Sequence, residues 1–223
     1  MKVIEPDWSL GERVGAFTTT RDGGGDSEVD STHPAGLAQR LPAEPCWLEQ
    51  VHGSRVIQLD DWRAGIQADA AWTDRDGEVV VIKTADCLPI LLADRDASVV
   101  AGIHGGWRSL AAGIIDNTLS ALPVPGTELS AWIGPAICGR CYQVGGEVRA
   151  AFVDHDPVLA AAFQADADRW RADLKWIAAH QLRAAGVSVF DSGRCTFEES
   201  DAFYSFRRDG GTGRMASVIW KSR

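Results

Sequence analysis

Three side chains that bind metals well, His52, Cys87 and His104, stand in turn-like stretches of the sequence. Two imidazoles and one thiolate suit a catalytic zinc ion, which keeps three protein ligands and leaves its fourth position for water or substrate. Zinc in such a site lowers the pKa of bound water to about 7 or polarises a substrate oxygen. The three residues are separated by 35 and 17 positions, and this spacing matches no local zinc motif. From the residues alone, separate packing or capping roles therefore stay open.

Two basic segments are candidates for binding an anion. Gly105-Gly106-Trp107-Arg108 is expected to open a helix after a strand, where free N–H groups and the helix dipole favour an anion and Arg108 could grip a phosphate. Such a junction also arises for steric reasons alone. The second segment carries Arg207, Arg208 and Arg214 among glycines, and it is either an anion-binding segment or a solvated hairpin.

The other four cysteines show one recognisable spacing. Cys138 and Cys141 have the C-x-x-C spacing of a zinc half-site or a redox pair. Neither a second C-x-x-C nor a suitably spaced histidine pair accompanies them, so we interpret them as free thiols. Cys46 and Cys195 are interpreted as small buried hydrophobic residues. Five cysteines without an export signal argue against a disulfide framework.

The elements that must position these residues follow from the apolar pattern. Continuous apolar, β-branched runs predict buried strands, over residues 79–82, 90–92, 98–103, 187–190 and 215–220. Near-helical spacing of apolar residues predicts one helix over 110–122 and another over 170–182, the second ending at Gly186. His104, Gly105 and Gly106 are expected to form the turn before the first helix. Strands and helices are interspersed, which indicates the α/β class.

Composition and charge exclude several classes of protein. The chain is 45% hydrophobic and 24% charged, as in folded domains. Its net charge of −9 would repel a polyphosphate backbone, so no nucleic-acid partner is expected. No apolar stretch approaches the ~18 residues that span a bilayer. We expect a single cytoplasmic domain over 1–223, without a membrane partner and with a long surface loop over 21–45.

Several motifs occur in order over almost the whole chain, and together they resemble the bacterial YfiH family. They are Gln-Val-His-Gly at 50–53, Ala-Asp-Ala at 68–70, Thr-Ala-Asp-Cys-Leu-Pro at 84–89, His-Gly-Gly-Trp-Arg at 104–108, Ile-Gly-Pro-Ala-Ile at 133–137, Tyr-Gln-Val-Gly at 142–145 and Phe-Arg-Arg-Asp at 206–209. The family is also named laccase-domain or multicopper polyphenol oxidoreductase protein, purine nucleoside phosphorylase and peptidoglycan editing factor. The segment over 21–45 departs from the family pattern.

The resemblance implies a fold and a cofactor. The fold is a single α/β domain of layered mixed β-sheets flanked by helices, related to cysteine-hydrolase-like folds. The implied cofactor is zinc held by His52, Cys87 and His104, which also form the catalytic set; copper could occupy such a site in vitro.

The activity implied by the resemblance is purine nucleoside phosphorolysis. Adenosine, inosine or methylthioadenosine would react with phosphate to give the free base and ribose 1-phosphate, with adenosine deaminase activity at the same site. Arg108 is expected to bind phosphate. Gln50 and Asp86 stand close in sequence to His52 and Cys87, and Arg21 matches the family's Thr-Thr-Arg, so these three join Arg108 in the substrate- and phosphate-binding set.

Three other functions remain as alternatives. With Cys87 as a nucleophile, the protein would be a hydrolase or amidase that edits peptidoglycan precursors. A copper-dependent polyphenol oxidase (laccase) is disfavoured, because several coppers need many histidines and the chain has five. The zinc could also be structural in a binding protein without enzymatic activity.

Overall fold

The first hundred residues form mainly strands, and from residue 107 onward α-helices are interspersed with strands. The computed structural model describes residues 2–8, 10–21 and 36–222. Most of the predicted surface loop over 21–45, from 22 to 35, lies outside the described residues. Within them the strands are β1 (Val3–Ile4), β2 (Val14–Thr19), β3 (Pro45–Cys46), β4 (Val56–Gln58), β5 (Ala70–Thr73), β6 (Val79–Thr84), β7 (Leu88–Asp94), β8 (Val100–Gly105), β9 (Leu129–Ile133), β10 (Gln143–Val144), β11 (Phe163–Asp166), β12 (Arg169–Ala172), β13 (Ser188–Asp191) and β14 (Met215–Lys221).

The helices are short and lie mostly in the second half of the chain. The α-helices are α1 (Trp107–Ala111), α2 (Ile114–Ala121), α3 (Gly146–Val153), α4 (Leu174–Ala184) and α5 (Phe206–Asp209). Single turns of 3-10 helix cover Ala38–Arg40, Leu59–Asp61 and Gly126–Glu128, and a longer one covers Pro157–Ala162. None of the helices in the described part of the chain is long and apolar enough to cross a membrane.

The described strands form three sheets. A six-stranded sheet has the order β13-β9-β7-β8-β5-β4, a five-stranded sheet has the order β1-β2-β14-β6-β3, and β10, β12 and β11 form a small third sheet. Most neighbouring strands are antiparallel, but β13–β9, β4–β5 and β3–β6 are parallel. The expected mixed α/β architecture is confirmed.

The continuous apolar runs are explained by sheets that are buried on both faces. Along β7, Leu88, Ile90 and Leu92 pack toward the helices α2, α3 and α4. Leu91 and Ala93 point the other way and meet Val80, Ile82 and Ile219 of the five-stranded sheet, among others. The six-stranded sheet is thus the middle layer, with helices on one face and the second sheet on the other.

The helix predicted over 110–122 is two helices. Ala112 ends α1, and Gly113 follows in the left-handed region with φ 78°, so that α2 starts in a new direction. Glycine adopts this conformation without steric cost. The apolar spacing carried no signal of this break, because both short helices turn their apolar sides toward the same sheet.

Two further boundaries and the type of one element differ from the sequence prediction. The strand expected over 98–103 runs from Val100 to Gly105, because Pro89 pairs with His104 and Leu88 with Gly105; His104 and Gly105 are therefore strand residues, not a turn. The second long helix starts at Leu174, and Trp170 lies on β12. The segment from Phe206 is a short helix rather than a hairpin.

Candidate active site

Two loops and the end of strand β8 bring together the residues singled out for metal binding. Cys87 ends the bend between β6 and β7, His104 is the penultimate residue of β8, and His52 lies in the loop between β3 and β4. Because β7 and β8 are antiparallel neighbours, the start of one lies beside the end of the other. Residues 17 positions apart in sequence, Cys87 and His104, therefore become neighbours.

The three side chains converge on one point. One ligand atom from each of His52, Cys87 and His104 lies within 4.8 Å of the others. Cys87 Sγ is 3.9 Å from His52 Nε2, and the two imidazole rings meet edge to face with centroids 4.7 Å apart. His104 is buried, Cys87 is half-buried and His52 is exposed, so the group opens to solvent on the His52 side.

Asp69, a buried residue just before β5, fixes two of the three. Its Oδ1 lies 2.8 Å from His104 Nδ1, and His104 in turn donates its backbone N–H to the Asp69 carbonyl at 2.7 Å. The Asp69 carboxylate also accepts the backbone N–H groups of Val51, His52 and Gly53 at 3.3, 2.9 and 2.7 Å. With its Nδ1 engaged in this way, His104 presents Nε2 to Cys87 or to a metal. A carboxylate behind a ligating histidine is the usual support of such a ligand.

The electrostatics of the group favour ions. Burial opposes ionisation of the Cys87 thiol, but hydrogen bonds and charges from His104 and His52 outweigh it and lower the pKa of Cys87 to about 6. Burial likewise disfavours the imidazolium of His104, yet Asp69 and Cys87 raise its pKa to about 9. In the metal-free protein at neutral pH, Cys87 and His104 therefore form a thiolate–imidazolium pair.

Gly106, the residue before α1, forms the floor of the group. A Cβ built there would stand 2.9 Å from His52 Cδ2 and 3.4 Å from Cys87 Sγ, so the site needs a residue without a side chain. Two residues at the rim have positive φ without being glycine, His52 at 59° and Asp86 at 101°. Such conformations cost about 1–3 kcal/mol each and concentrate at functional sites.

Asp86 holds the C-terminal part of the chain against the site. Its Oδ1 accepts the hydroxyl of Thr196 at 2.6 Å, and its Oδ2 accepts the backbone N–H of Arg207 at 2.7 Å. The carbonyl of Asp86 accepts the N–H of Ile137 at 3.0 Å. Asp86 was expected in the substrate- and phosphate-binding set, and in the structure its carboxylate positions the residues around Cys87.

Two arginines stand close in the fold to the group: the backbone of Arg207 is held by Asp86, and Arg108 lies two residues after Gly106. Arg207 lies over the Tyr142 ring at 4.9 Å and Arg108 over the Trp107 ring at 4.3 Å. Burial raises the pKa of the Tyr142 phenol to about 12, and the charges of Cys87, Arg207 and Arg108 also act on that phenol. The Tyr142 phenol is thus within electrostatic range of Cys87 and of both arginines. The helix α1, in which Arg108 is the second residue, has only five residues, so the arginine side chains rather than a helix dipole supply the positive charge here.

The other two expected substrate residues lie in different settings. The Gln50 amide donates to the Lys83 carbonyl and accepts the Lys83 N–H, both at 2.8 Å, which ties the His52 loop to β6. Arg21 stacks on Tyr204 at 5.3 Å and lies 3.8 Å from Asp209 of α5. Among the described residues no contact joins Arg21 to the His52, Cys87, His104 group.

Sequence reasoning did not assign three residues that shape the site: Asp69, Tyr142 and Thr196. Asp69 and Tyr142 stand in motifs of the family resemblance, whereas Arg207 lies in the basic segment that was already a candidate for binding an anion. Thr196 carries no signal of its own, because its role arises from a contact across 110 residues.

The donor set fits a metal such as zinc. One thiol of lowered pKa and two imidazoles, one of them braced by Asp69, supply three ligands and leave a fourth position free on the exposed side.

Comparison with known proteins identifies close relatives. Residues 18–222 match the family model described as multi-copper polyphenol oxidoreductase laccase. A Pseudomonas aeruginosa protein named purine nucleoside phosphorylase is 42% identical, with 97% of each chain covered. The Escherichia coli purine nucleoside phosphorylase YfiH is 39% identical, with 98% of each chain covered.

Solved structures share the fold. A Neisseria meningitidis protein superposes with a TM-score of 0.93 at 35% identity, over 100% of both chains. YlmD from Geobacillus stearothermophilus gives a TM-score of 0.82 at 26% identity, again over 100% of both chains.

Proposed function

The chain belongs to the multi-copper polyphenol oxidoreductase laccase family, and from that premise we propose that it is a zinc-dependent purine nucleoside phosphorylase with adenosine deaminase activity. Relatives that align over nearly the whole chain carry the name purine nucleoside phosphorylase. The observation that carries the proposal is the convergence of His52, Cys87 and His104, with Arg108 and Arg207 in electrostatic range of the same Tyr142 phenol as Cys87.

His52, Cys87 and His104 would hold the metal, which when bound supplies Lewis-acid chemistry toward an oxygen of phosphate or water. Asp69 keeps a proton on His104 Nδ1 and thereby directs Nε2 to the metal side. The same carboxylate orders the backbone of the His52 loop. These contacts fix the His104 imidazole and the backbone that carries His52 before any substrate arrives, so less ordering remains to be done during the reaction.

Arg108 and Arg207 are proposed to bind the phosphate. Their guanidinium groups lie over Trp107 and Tyr142, and the charges of both act on the Tyr142 phenol, as does the charge of Cys87. A phosphate oxygen held there would attack the anomeric carbon of the ribose while the bond to the purine nitrogen breaks. The electron pair of that bond leaves with the base, which takes up a proton. In deamination, a water oxygen would instead add to the amino-bearing carbon of the purine ring, and ammonia would leave.

A chromatographic product assay with adenosine, with and without phosphate, tests the proposal. The zinc-loaded protein should release adenine and ribose 1-phosphate only when phosphate is present. Deamination should produce inosine even when phosphate is absent. Cys87→Ala should lose both activities by at least about 100-fold, because a metal ligand is removed. Cys46→Ala is the matched control, since Cys46 lies on the edge strand β3 and is not part of the group. Adenosine left untouched by metal-replete wild-type protein would refute the proposal.

One observation favours a second candidate, a cysteine hydrolase or amidase acting on peptidoglycan precursors. Cys87, His104 and Asp69 form the thiolate–imidazolium–carboxylate series of such enzymes. The thiolate would attack an amide carbon, His104 would give its proton to the leaving amine, and water would then hydrolyse the thioester. Metal dependence separates the two candidates. A hydrolase would remain active after a chelator has removed the metal and would be inactivated by alkylation of Cys87, whereas the phosphorylase would require the metal.

A further inference from the structure

A second cluster of metal-binding side chains lies apart from the His52, Cys87, His104 group. One ligand atom from each of Cys138, Cys141, Cys195 and Glu198 lies within 4.8 Å of the others. The two sulfurs of the C-x-x-C segment are 3.6 Å apart, and Cys141 Sγ is 3.5 Å from Glu198 Oε1. Cys195 Sγ accepts the backbone N–H of Cys138 at 3.3 Å, so all four residues are connected.

Two chain segments build this cluster, and each is held by contacts that need no ion. In the first, the N–H groups of Cys141 and Tyr142 both donate to the Cys138 carbonyl, at 3.0 and 3.1 Å. A parallel bridge between Ala136 and Cys195 aligns the second segment with the first. The cluster is therefore preformed.

The second segment is closed by a carboxylate. Glu199 accepts the backbone N–H of Cys195 at 3.0 Å and is paired with Arg194, while the Cys195 carbonyl accepts the Glu199 N–H at 3.0 Å. Glu198, the next residue back along the chain, is held by Arg140, which lies 2.8 Å from its Oε2 and 3.1 Å from its Oε1, and that Oε1 also lies 3.5 Å from Cys141 Sγ.

We propose that Cys138, Cys141, Cys195 and Glu198 form a second, structural zinc site. Around tetrahedral zinc, with Zn–S bonds of about 2.3 Å, sulfurs stand about 3.8 Å apart, close to the 3.6 Å between Cys138 and Cys141. Three thiolates with one carboxylate fill all four positions, which is typical of a structural rather than a catalytic ion. In sequence the site has the form C-x-x-C with C-x-x-E, a half-site pair in which glutamate takes the place of the fourth cysteine.

The cluster is connected to the active site through the residues that directly follow two of its cysteines. Thr196 directly follows Cys195 and donates its hydroxyl to Asp86, the neighbour of Cys87. Tyr142 directly follows Cys141 and lies beneath Arg207. A metal that joins the two segments would hold Thr196 and Tyr142 in place, and hence the surroundings of Cys87.

Metal analysis of a Cys87→Ala protein, purified without chelator under reducing conditions, tests the proposal. This background removes a ligand of the first group and leaves the second cluster intact, so one zinc per chain is expected to remain. Adding Cys141→Ala should abolish it, whereas adding Cys46→Ala should leave it unchanged. Failure of the proposed phosphorylase would not alter these expectations, because they concern metal content alone.

Cobalt substitution gives an independent readout. Titration of metal-free Cys87→Ala protein with Co²⁺ should produce intense thiolate-to-cobalt absorption that saturates at one equivalent. Glu198→Gln is a conservative change at an exposed position, so it tests the site even if the cysteine variants fail to fold. It should weaken the binding of Co²⁺ while retaining the thiolate-to-cobalt bands. A Cys87→Ala protein without stoichiometric zinc or thiolate–cobalt bands would overturn the proposal. So would a stoichiometric disulfide between Cys138 and Cys141 in the reduced preparation.

Discussion

The chemistry of Cys87 is decided by its immediate neighbours. Burial alone would keep the thiol protonated, but the two imidazoles that face it reverse that preference and bring its pKa to about 6. Cys46 has no such neighbours, and burial together with the charge of Glu78 raises the pKa of its thiol. Of these two half-buried cysteines, Cys87 thus has a lowered thiol pKa and Cys46 a raised one.

Alkylation of the metal-free protein should distinguish these two cysteines by pH. The thiolate is the reactive form, so labelling of Cys87 should rise as the pH increases through about 6. Labelling of Cys46 should rise only above the ordinary cysteine value of 9.0. Peptide mass spectrometry after short iodoacetamide pulses measures both rates in one sample. Parallel profiles for the two cysteines would contradict the prediction.

At this scale residue type and spacing showed which side chains could bind a metal, and only the family resemblance indicated that three of them would meet. His52, Cys87 and His104 were identifiable from residue type and family resemblance. Asp69 was not assigned a role, because its function depends on reaching both His104 and the His52 loop. Glu198 was missed because a search for a second C-x-x-C does not detect a glutamate in the fourth position.

Among the elements, the junction between β8 and α1 limits the size of the residue at position 106. Gly106 has φ −71° and ψ 157°, a conformation open to any residue. The need for glycine is therefore steric and comes from His52 and Cys87 above it.

Gly106→Ala should impair the site without disturbing the fold. The added methyl group would lie 2.9 Å from His52 Cδ2 and displace that ring, so metal affinity should fall by about 10-fold or more. Gly146→Ala is the control, because no atom lies within 4 Å of a Cβ at this first residue of α3. Metal titration of both variants measures the effect. Equal affinities for Gly106→Ala and wild type would show that the loop with His52 adapts freely.

The types of most elements could be predicted, whereas several boundaries depend on tertiary contacts. The strand β14 follows the sequence pattern closely. So does the end of α4, after which Gly186 has φ 83°. Trp170 continues the apolar spacing of the next helix but pairs on β12 with Val144 of β10. Strand pairing of this kind is not visible in a single sequence.

At the scale of the whole molecule, the two large sheets pack closely against each other at Gly102 of β8. A Cβ there would stand 2.9 Å from Val80 Cγ1 and 3.0 Å from Ile82 Cγ1. The packing of one sheet on the other therefore requires glycine at this position.

Gly102→Ala should lower stability while leaving the metal sites unaffected. Overpacking of a close interface typically costs about 1–3 kcal/mol, and each kcal/mol lowers Tm by about 2–4 °C in a protein of this size. Thermal unfolding measures this loss, and Gly146→Ala again serves as control. The reverse pattern, with unchanged Tm and altered metal content, would mean that Gly102 serves the site rather than the sheet interface.

The position of β14 has a consequence for the order of assembly. This strand lies between β2 and β6 in the middle of the five-stranded sheet, although β2 precedes it by almost the whole described chain. In a nascent polypeptide that has not yet reached residue 221, β2 and β6 each lack their partner along one edge, and the unpaired backbone N–H and C=O groups there make the chain prone to aggregation. The early strands must wait for β14 to be translated, so a chaperone or rapid synthesis of the final segment would protect this protein in the cell.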